Sequence, residues 1–242
     1  MVESLSDFVN QIKYELFNLN ISEKSAFLEA RELVCYAAGI DRKDFLRLKN
    51  EKIDSFIYPL QELMEQRKAG MPVAYIIGEW DFYGRTFFID NNVLIPRDDS
   101  AAVIELLLSR LITKKGVGAP LRILDLCTGS GCLGITAVLE LGDNTECVLV
   151  DNSRGAIQIA SKNIVLHYLS AAAQTAIVDV FSPIPKDMGS FDAIICNPPY
   201  IRTQDLSLLD SSVTKYEPIG ALDGGGDGLM FFREIASKWS AV

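Results

Sequence analysis

The chain has 242 residues, 49% of them hydrophobic, with a net charge of −9, which is enough apolar material for one large core or two small ones. The acidic balance argues against nucleic acid as a partner, because enzymes acting on it usually carry a basic footprint. A single histidine and five scattered cysteines with no C-x-x-C pair argue against a metal site and fit reduced thiols in a cytoplasmic protein. The acidic start Met1-Val2-Glu3 does not read as a signal peptide, and the longest apolar runs fall short of a membrane span.

Residues 3–68 carry helical periodicity. Leu5, Phe8, Val9, Ile12 and Leu16 share one stripe; Leu28, Leu33, Val34 and Ala37 share a second, closed by a C-cap at Gly39. A third pattern spans 52–67 with Ile57, Leu60, Leu63 and Met64. Residues 1–70 are therefore expected to form a helical N-terminal domain, which Gly70-Met71-Pro72 ends. Residues 71–97 read as a β-hairpin linker, with strands at 75–82 and 85–90 about a turn at Tyr83-Gly84. Trp80, Phe82 and Tyr83 are its expected core. Arg97 would pair with Asp98 or Asp99 or shape a substrate site, and Asp99 or Ser100 would cap the helix that follows. A loop is expected at 114–120. From 121 onward strand and helix patterns alternate, which predicts a parallel, doubly wound sheet over residues 98–242.

The first strand of that sheet, Arg122 to Leu126, opens into Cys127-Thr128-Gly129-Ser130-Gly131 and then a helix. Gly129, Gly131 and Gly134 spell G-x-G-x-x-G, a turn that lets a ligand approach the backbone and a helix N-terminus. Asp151 ends the next strand, where a carboxylate can take a ribose diol. Asp125 is expected to brace the turn. At this point a nicotinamide dinucleotide and S-adenosylmethionine are both open.

The choice falls at the fourth strand, where Ala193-Ile194-Ile195-Cys196 runs into Asn197-Pro198-Pro199-Tyr200. The prolines freeze the loop and remove its N–H groups. What remains is an amide oxygen and a fixed carbonyl beside a flat ring. Asn197 Oδ1 and the Pro198 carbonyl can hold the two N–H groups of a planar nitrogen while Tyr200 covers its face. A methyl transfer from a sulfonium donor needs alignment more than a strong base. That agrees with the lone His167 being read as a surface residue within a helix.

Together these motifs resemble the HemK/PrmC family of glutamine methyltransferases, which modify the Gly-Gly-Gln tripeptide of peptide-chain release factors. The resemblance covers nearly the whole chain. It rests on residues 72–78, Leu94-Ile95-Pro96-Arg97, Asp125 to Gly131, Asn197 to Tyr200, and Glu217-Pro218 followed by Ala221-Leu222-Asp223-Gly224-Gly225. It implies an α/β fold with a Rossmann-like, S-adenosylmethionine-dependent domain behind a small helical domain that docks the release factor. It also implies cofactor contacts at Cys127, Thr128, Gly129, Ser130, Gly131, Asp151, Asp179, Val180 and Asn197. Substrate contacts would lie at Asn197, Pro198, Pro199, Tyr200 and Arg97, with Asn197, Pro198 and Tyr200 catalytic. Departures are Cys127 for the family's first glycine, Asp98 for its proline, and Ser100-Ala101 where a glutamate is usual. Other readings are a ribosomal-protein glutamine methyltransferase, an N6-adenine or N2-guanine nucleic-acid methyltransferase, and a non-catalytic cofactor-binding protein. The Gly224 to Gly228 run reads as a flexible loop without a mechanistic part.

Because 193–196 is apolar at successive positions, it is expected to be covered on both faces and to want a neighbour on each side. The family's sheet continues past this point. The C-terminal strands are therefore expected to be missing here, leaving an exposed edge.

Overall fold

In the computed structural model, residues 4–19, 21–52, 57–115 and 120–241 are described. The acidic start at 1–3, the first residues of the third helical pattern at 53–56 and most of the expected loop at 114–120 lie outside them. The chain forms two compact units, Met1–Ile77 and Gly78–Val242.

The first unit is helical: α1 (Leu5–Phe17), α2 (Glu23–Ala38), α3 (Phe45–Leu48), α4 (Ile57–Lys68) and α5 (Val73–Ile77). Ser4 opens α1 with a capping box, its hydroxyl accepting from the Asp7 N–H while the Asp7 carboxylate accepts from the Ser4 N–H. The stripe from Leu5 to Leu16 is buried, and Gly39 closes α2 in the left-handed conformation at φ 65°. Glu32 is buried yet paired with both Arg31 and Arg42, so no charge is stranded. The expectation of a strand from residue 75 fails at its start. Residues 73–77 are helical, because the Pro72 carbonyl accepts from Ile76 N–H at 3.1 Å and Val73, Ala74 and Ile77 bury one helical face.

The second unit begins with the hairpin β1 (Glu79–Phe82) and β2 (Arg85–Phe88). Its turn places Tyr83 at φ 51° and Gly84 at φ 73°, the two positive angles a two-residue hairpin turn needs to match strand twist. Phe82 is fully buried as expected, whereas Trp80 and Tyr83 are half-buried, Tyr83 giving its hydroxyl to Glu105. Helix α6 (Ala101–Lys115) precedes β3 (Leu121–Leu126), α7 (Cys132–Leu141), β4 (Thr145–Asp151), α8 (Arg154–Leu166), β5 (Ala173–Ile177) and β6 (Ala193–Cys196). Helices α9 (Ser211–Tyr216) and α10 (Met230–Lys238) complete the order.

The main sheet runs β5-β4-β3-β6, all parallel, with Leu126 level with Val150 on one side and Cys196 on the other. Side chains alternate between two cores. Leu121, Ile123, Cys147, Leu149 and Ile195 pack with the hairpin and α6, α7 and α8 residues; Leu124, Leu126, Val148 and Val150 pack with Trp239 and the α10 side chains Phe231 and Ile235. Helices cover both faces, so the sheet is doubly wound. Among the described residues β6 pairs only with β3, and no helix is long and apolar enough to cross a membrane.

His167 is not the surface residue expected. It caps the C-terminus of α8, half-buried, with its ring 4.8 Å from Phe87 and Nε2 2.9 Å from the Thr86 carbonyl oxygen. Burial lowers its pKa. The aromatic hairpin claims this ring because the end of α8 delivers it there.

Candidate functional site

The turn after β3 is braced from within. Asp125 is wholly buried, and its Oδ2 accepts from Thr128 Oγ1 at 2.6 Å and from the Gly134 N–H at 2.9 Å. A side chain at Gly134 would sit 2.9 Å from that same oxygen, so the third glycine of the motif is required by the close approach of Asp125. The first residue of the turn, Cys127, holds φ 55°, a left-handed angle that costs a non-glycine residue about 1 kcal/mol. Its thiol lies beside that of Cys196, whose pKa burial raises well above the ordinary range. Burial also lifts the Asp125 carboxyl to about 7, against the lowering effect of its two donors. Its Oδ1 accepts no hydrogen bond among the described residues.

Asp151, at the end of β4, faces the turn. Its Oδ2 accepts from the Gly129 N–H and its Oδ1 from the Ser153 N–H, both at 2.9 Å. Burial raises its pKa. Each oxygen keeps a further lone pair, the arrangement that can accept two adjacent hydroxyls. Asp179, beyond β5, accepts from the Phe181 N–H at 2.9 Å, and the carbonyl of the next residue, Val180, accepts from the buried Trp239 Nε1 at 3.0 Å.

The loop after β6 is braced from elsewhere in the chain. Asn197 Nδ2 donates to Ser100 Oγ at 3.3 Å, and Oδ1 accepts nothing among the described residues. Asp99 or Ser100 was expected to cap α6; both lie in a short 3-10 turn, and the Ser100 hydroxyl serves Asn197. Pro198 and Pro199 are buried, while Tyr200 is 57% exposed. Behind this loop lies the glycine run, whose expected lack of a part is also corrected. A side chain on Gly224 would meet Tyr200 Cα at 2.6 Å, and one on Gly228 the Tyr200 carbonyl oxygen at 2.4 Å. Ile201 N–H donates to the Leu222 carbonyl and Gly224 N–H to the Ile201 carbonyl, tying the two segments. The run is glycine because the backbone of the Asn-Pro-Pro-Tyr loop lies against it.

Arg97 pairs with neither Asp98 nor Asp99 but with Glu217, at 2.6 Å. The Glu217 side chain is 1% exposed, and its other oxygen accepts from the Ile95 N–H at 3.3 Å. A buried acid reaching back into Leu94 to Arg97 fixes that strip from 120 positions away in sequence. Local pairing loses because Asp98 and Asp99 have turned into the 3-10 segment.

These pieces enclose a cavity of about 250 Å³. Arg97, Cys127, Thr128, Gly129, Ser130, Asp151, Asp179, Val180, Asn197 and Pro199 all line it. Gly131, Pro198 and Tyr200 do not. Gly131 instead lets α7 start at φ 82°, where a side chain would meet Leu149 Cδ2 at 2.9 Å. Leu94, Ser100, Asn152, Pro218 and Phe231 line the cavity without having been singled out for it. The buried Asn163 was also missed. It accepts from the Phe88 N–H and donates to the Phe88 and Ser130 carbonyls, hanging the glycine turn on the hairpin. A polar residue on the apolar face of α8 was its one sequence signal.

A doubly wound sheet with this cavity across its strand ends is a Rossmann-like methyltransferase domain. Residues 98–215 match the Methyltransferase small domain family and residues 18–78 the PrmC N-terminal domain family. The chain belongs to the release factor glutamine methyltransferase family. It is 33% identical over 236 residues to the release factor glutamine methyltransferase of Thermodesulfovibrio yellowstonii, covering 97% of this chain and 78% of that one. The Bacillus subtilis relative is 35% identical over 207 residues, covering 85% of this chain and 71% of its own length. The Geobacter sulfurreducens relative is 34% identical over 215 residues, covering 88% and 71%.

Proposed function

We propose that this protein methylates the side-chain amide nitrogen of a glutamine in peptide-chain release factors, in the cytoplasm, using S-adenosylmethionine. The observation that carries the reading is the pair of free acceptors at the end of β6. Asn197 lines the cavity, and among the described residues no donor reaches its Oδ1 or the Pro198 carbonyl. Two acceptors on a proline-stiffened loop suit the two N–H groups of a primary amide. Holding both would aim the nitrogen lone pair without removing a proton first.

The residues present fit the cofactor. Asp151 keeps lone pairs for a ribose diol, and a side chain at Gly129 would point into open space rather than protein, so the turn leaves room for a ligand against its backbone. When bound, the cofactor supplies an electrophilic methyl group on a sulfonium. Cys127 to Ser130, Asp179 and Val180 would shape the remaining walls, with Arg97 on the substrate side. Tyr200, solvent-exposed beside the acceptors, would be covered by the bound peptide. No strong base is called for: the one histidine is held at the hairpin by Phe87 and Thr86.

The test is a labelled methyl-transfer assay offering release factor, ribosomal protein and RNA side by side. Label on the glutamine of the release factor is expected. Label only on ribosomal protein or RNA would reject the substrate, and no label on any would reject the activity.

A further inference from the structure

We propose that Ser100 is a positioning residue for the transfer: its hydroxyl anchors the nitrogen end of the Asn197 carboxamide so that Oδ1 is presented to the cavity. The inference rests on the reading of Asn197 as the substrate grip.

An asparagine side chain has a soft terminal torsion, broad and roughly two-fold, so nothing intrinsic holds its amide plane. The flanking prolines fix the backbone but not this torsion. Asn197 Nδ2 makes one contact, to Ser100 Oγ at 3.3 Å, and that hydroxyl makes no other hydrogen bond among the described residues. Ser100 in turn is not loose. Its N–H donates to the Arg97 carbonyl at 3.0 Å, and Arg97 and Ile95 are held by the buried Glu217. A rigid path therefore runs from Glu217 through the strip at 95–100 to the amide of Asn197. Ser100 also lines the cavity, so it meets Asn197 inside the site. An anchored amide offers its oxygen in one direction; a free one samples orientations that turn it away.

The test uses the full chain. Ser100→Ala is expected to lower kcat for the release factor about tenfold, the scale of one neutral hydrogen bond, with KM and S-adenosylhomocysteine affinity within about threefold. Ser100→Thr, which restores the hydroxyl, is expected to return kcat to within about threefold of the parent. A Ser100→Ala kcat within twofold of the parent, or a threonine variant no better than alanine, overturns the proposal. A second readout needs no turnover. In nitrogen-correlated NMR spectra the Asn197 side-chain NH2 pair, assigned by its loss in Asn197→Asp, should move in Ser100→Ala and stay in Ser100→Thr. An unmoved pair in the alanine variant overturns the anchor whatever the activity. A parent that transfers no methyl group would reject the proposed function, while the NMR comparison would still decide the contact.

Discussion

The two loops that meet across the cavity are held in opposite ways. The glycine turn after β3 is braced chiefly by residues of its own motif, Asp125, Thr128 and Gly134, all within one strand–turn–helix segment. The Asn-Pro-Pro-Tyr loop after β6 has almost no local support. Ser100 holds its amide, and Gly224 and Gly228 back its main chain. The cofactor half is thus built chiefly within one stretch of chain, with Asp151 and Asn163 as its outside ties. The substrate half is an assembly of three distant segments and depends on all of them.

The largest effect expected from breaking this arrangement is at the grip itself. Asn197→Ala should cut turnover by about 10²-fold or more, the scale for losing one preorganised polar group, with cofactor affinity largely kept. Turnover within threefold of the parent would show that the loop does not hold the reacting group. On the cofactor side, Asp151→Ala should weaken S-adenosylhomocysteine binding by about 1.5–3 kcal/mol, as for hydrogen bonds to a charged group. Unchanged calorimetric affinity would remove Asp151 from the site.

The long-range brace gives the sharpest contrast. Glu217→Ala should destabilise the fold by about 2 kcal/mol in chemical denaturation. The scale is that of breaking a buried pair, reduced because the Arg97 side chain is 42% exposed. It should also lower turnover more than cofactor affinity; equal losses of both would mean that the two halves are not separately braced.

The local brace should show itself in pH. The Asp125 carboxyl stands at about 7 in the fold against 3.8 when free. The folded state therefore binds a proton more tightly than the unfolded chain. The stability this provides is full below about pH 4 and is lost as pH rises through 7, with a slope of up to about 1.4 kcal/mol per pH unit. Asp125→Asn should flatten that slope, and a parent whose stability does not fall over this range would contradict the assignment.

The same contrast governs what the sequence discloses. The glycine turn, its bracing acid and Asp151 were legible because the residues that need one another lie close in the chain. The alternation that builds the doubly wound sheet was legible for the same reason. Glu217, Ser100, Asn163 and the Gly224 to Gly228 backing were not, since each acts on a partner far away in sequence. Arg97 shows how such cases mislead. Two aspartates stand immediately after it, yet the partner is Glu217. The first hairpin strand was overextended because Val73 to Ile77 is as apolar as a strand. The Pro72 carbonyl and the burial of Val73, Ala74 and Ile77 decide for helix.

Trp239 lies fully buried against the sheet face that carries Leu126 and Val150, with its indole N–H on the carbonyl of Val180, a cavity wall. The chain has one other tryptophan, the half-buried Trp80 of the hairpin. The protein thus contains its own optical gauge of site occupancy. Ligand that shifts the Val180 carbonyl changes the field along the indole N–H, and with it the colour of the emission, while Trp80→Phe leaves that signal to Trp239 alone.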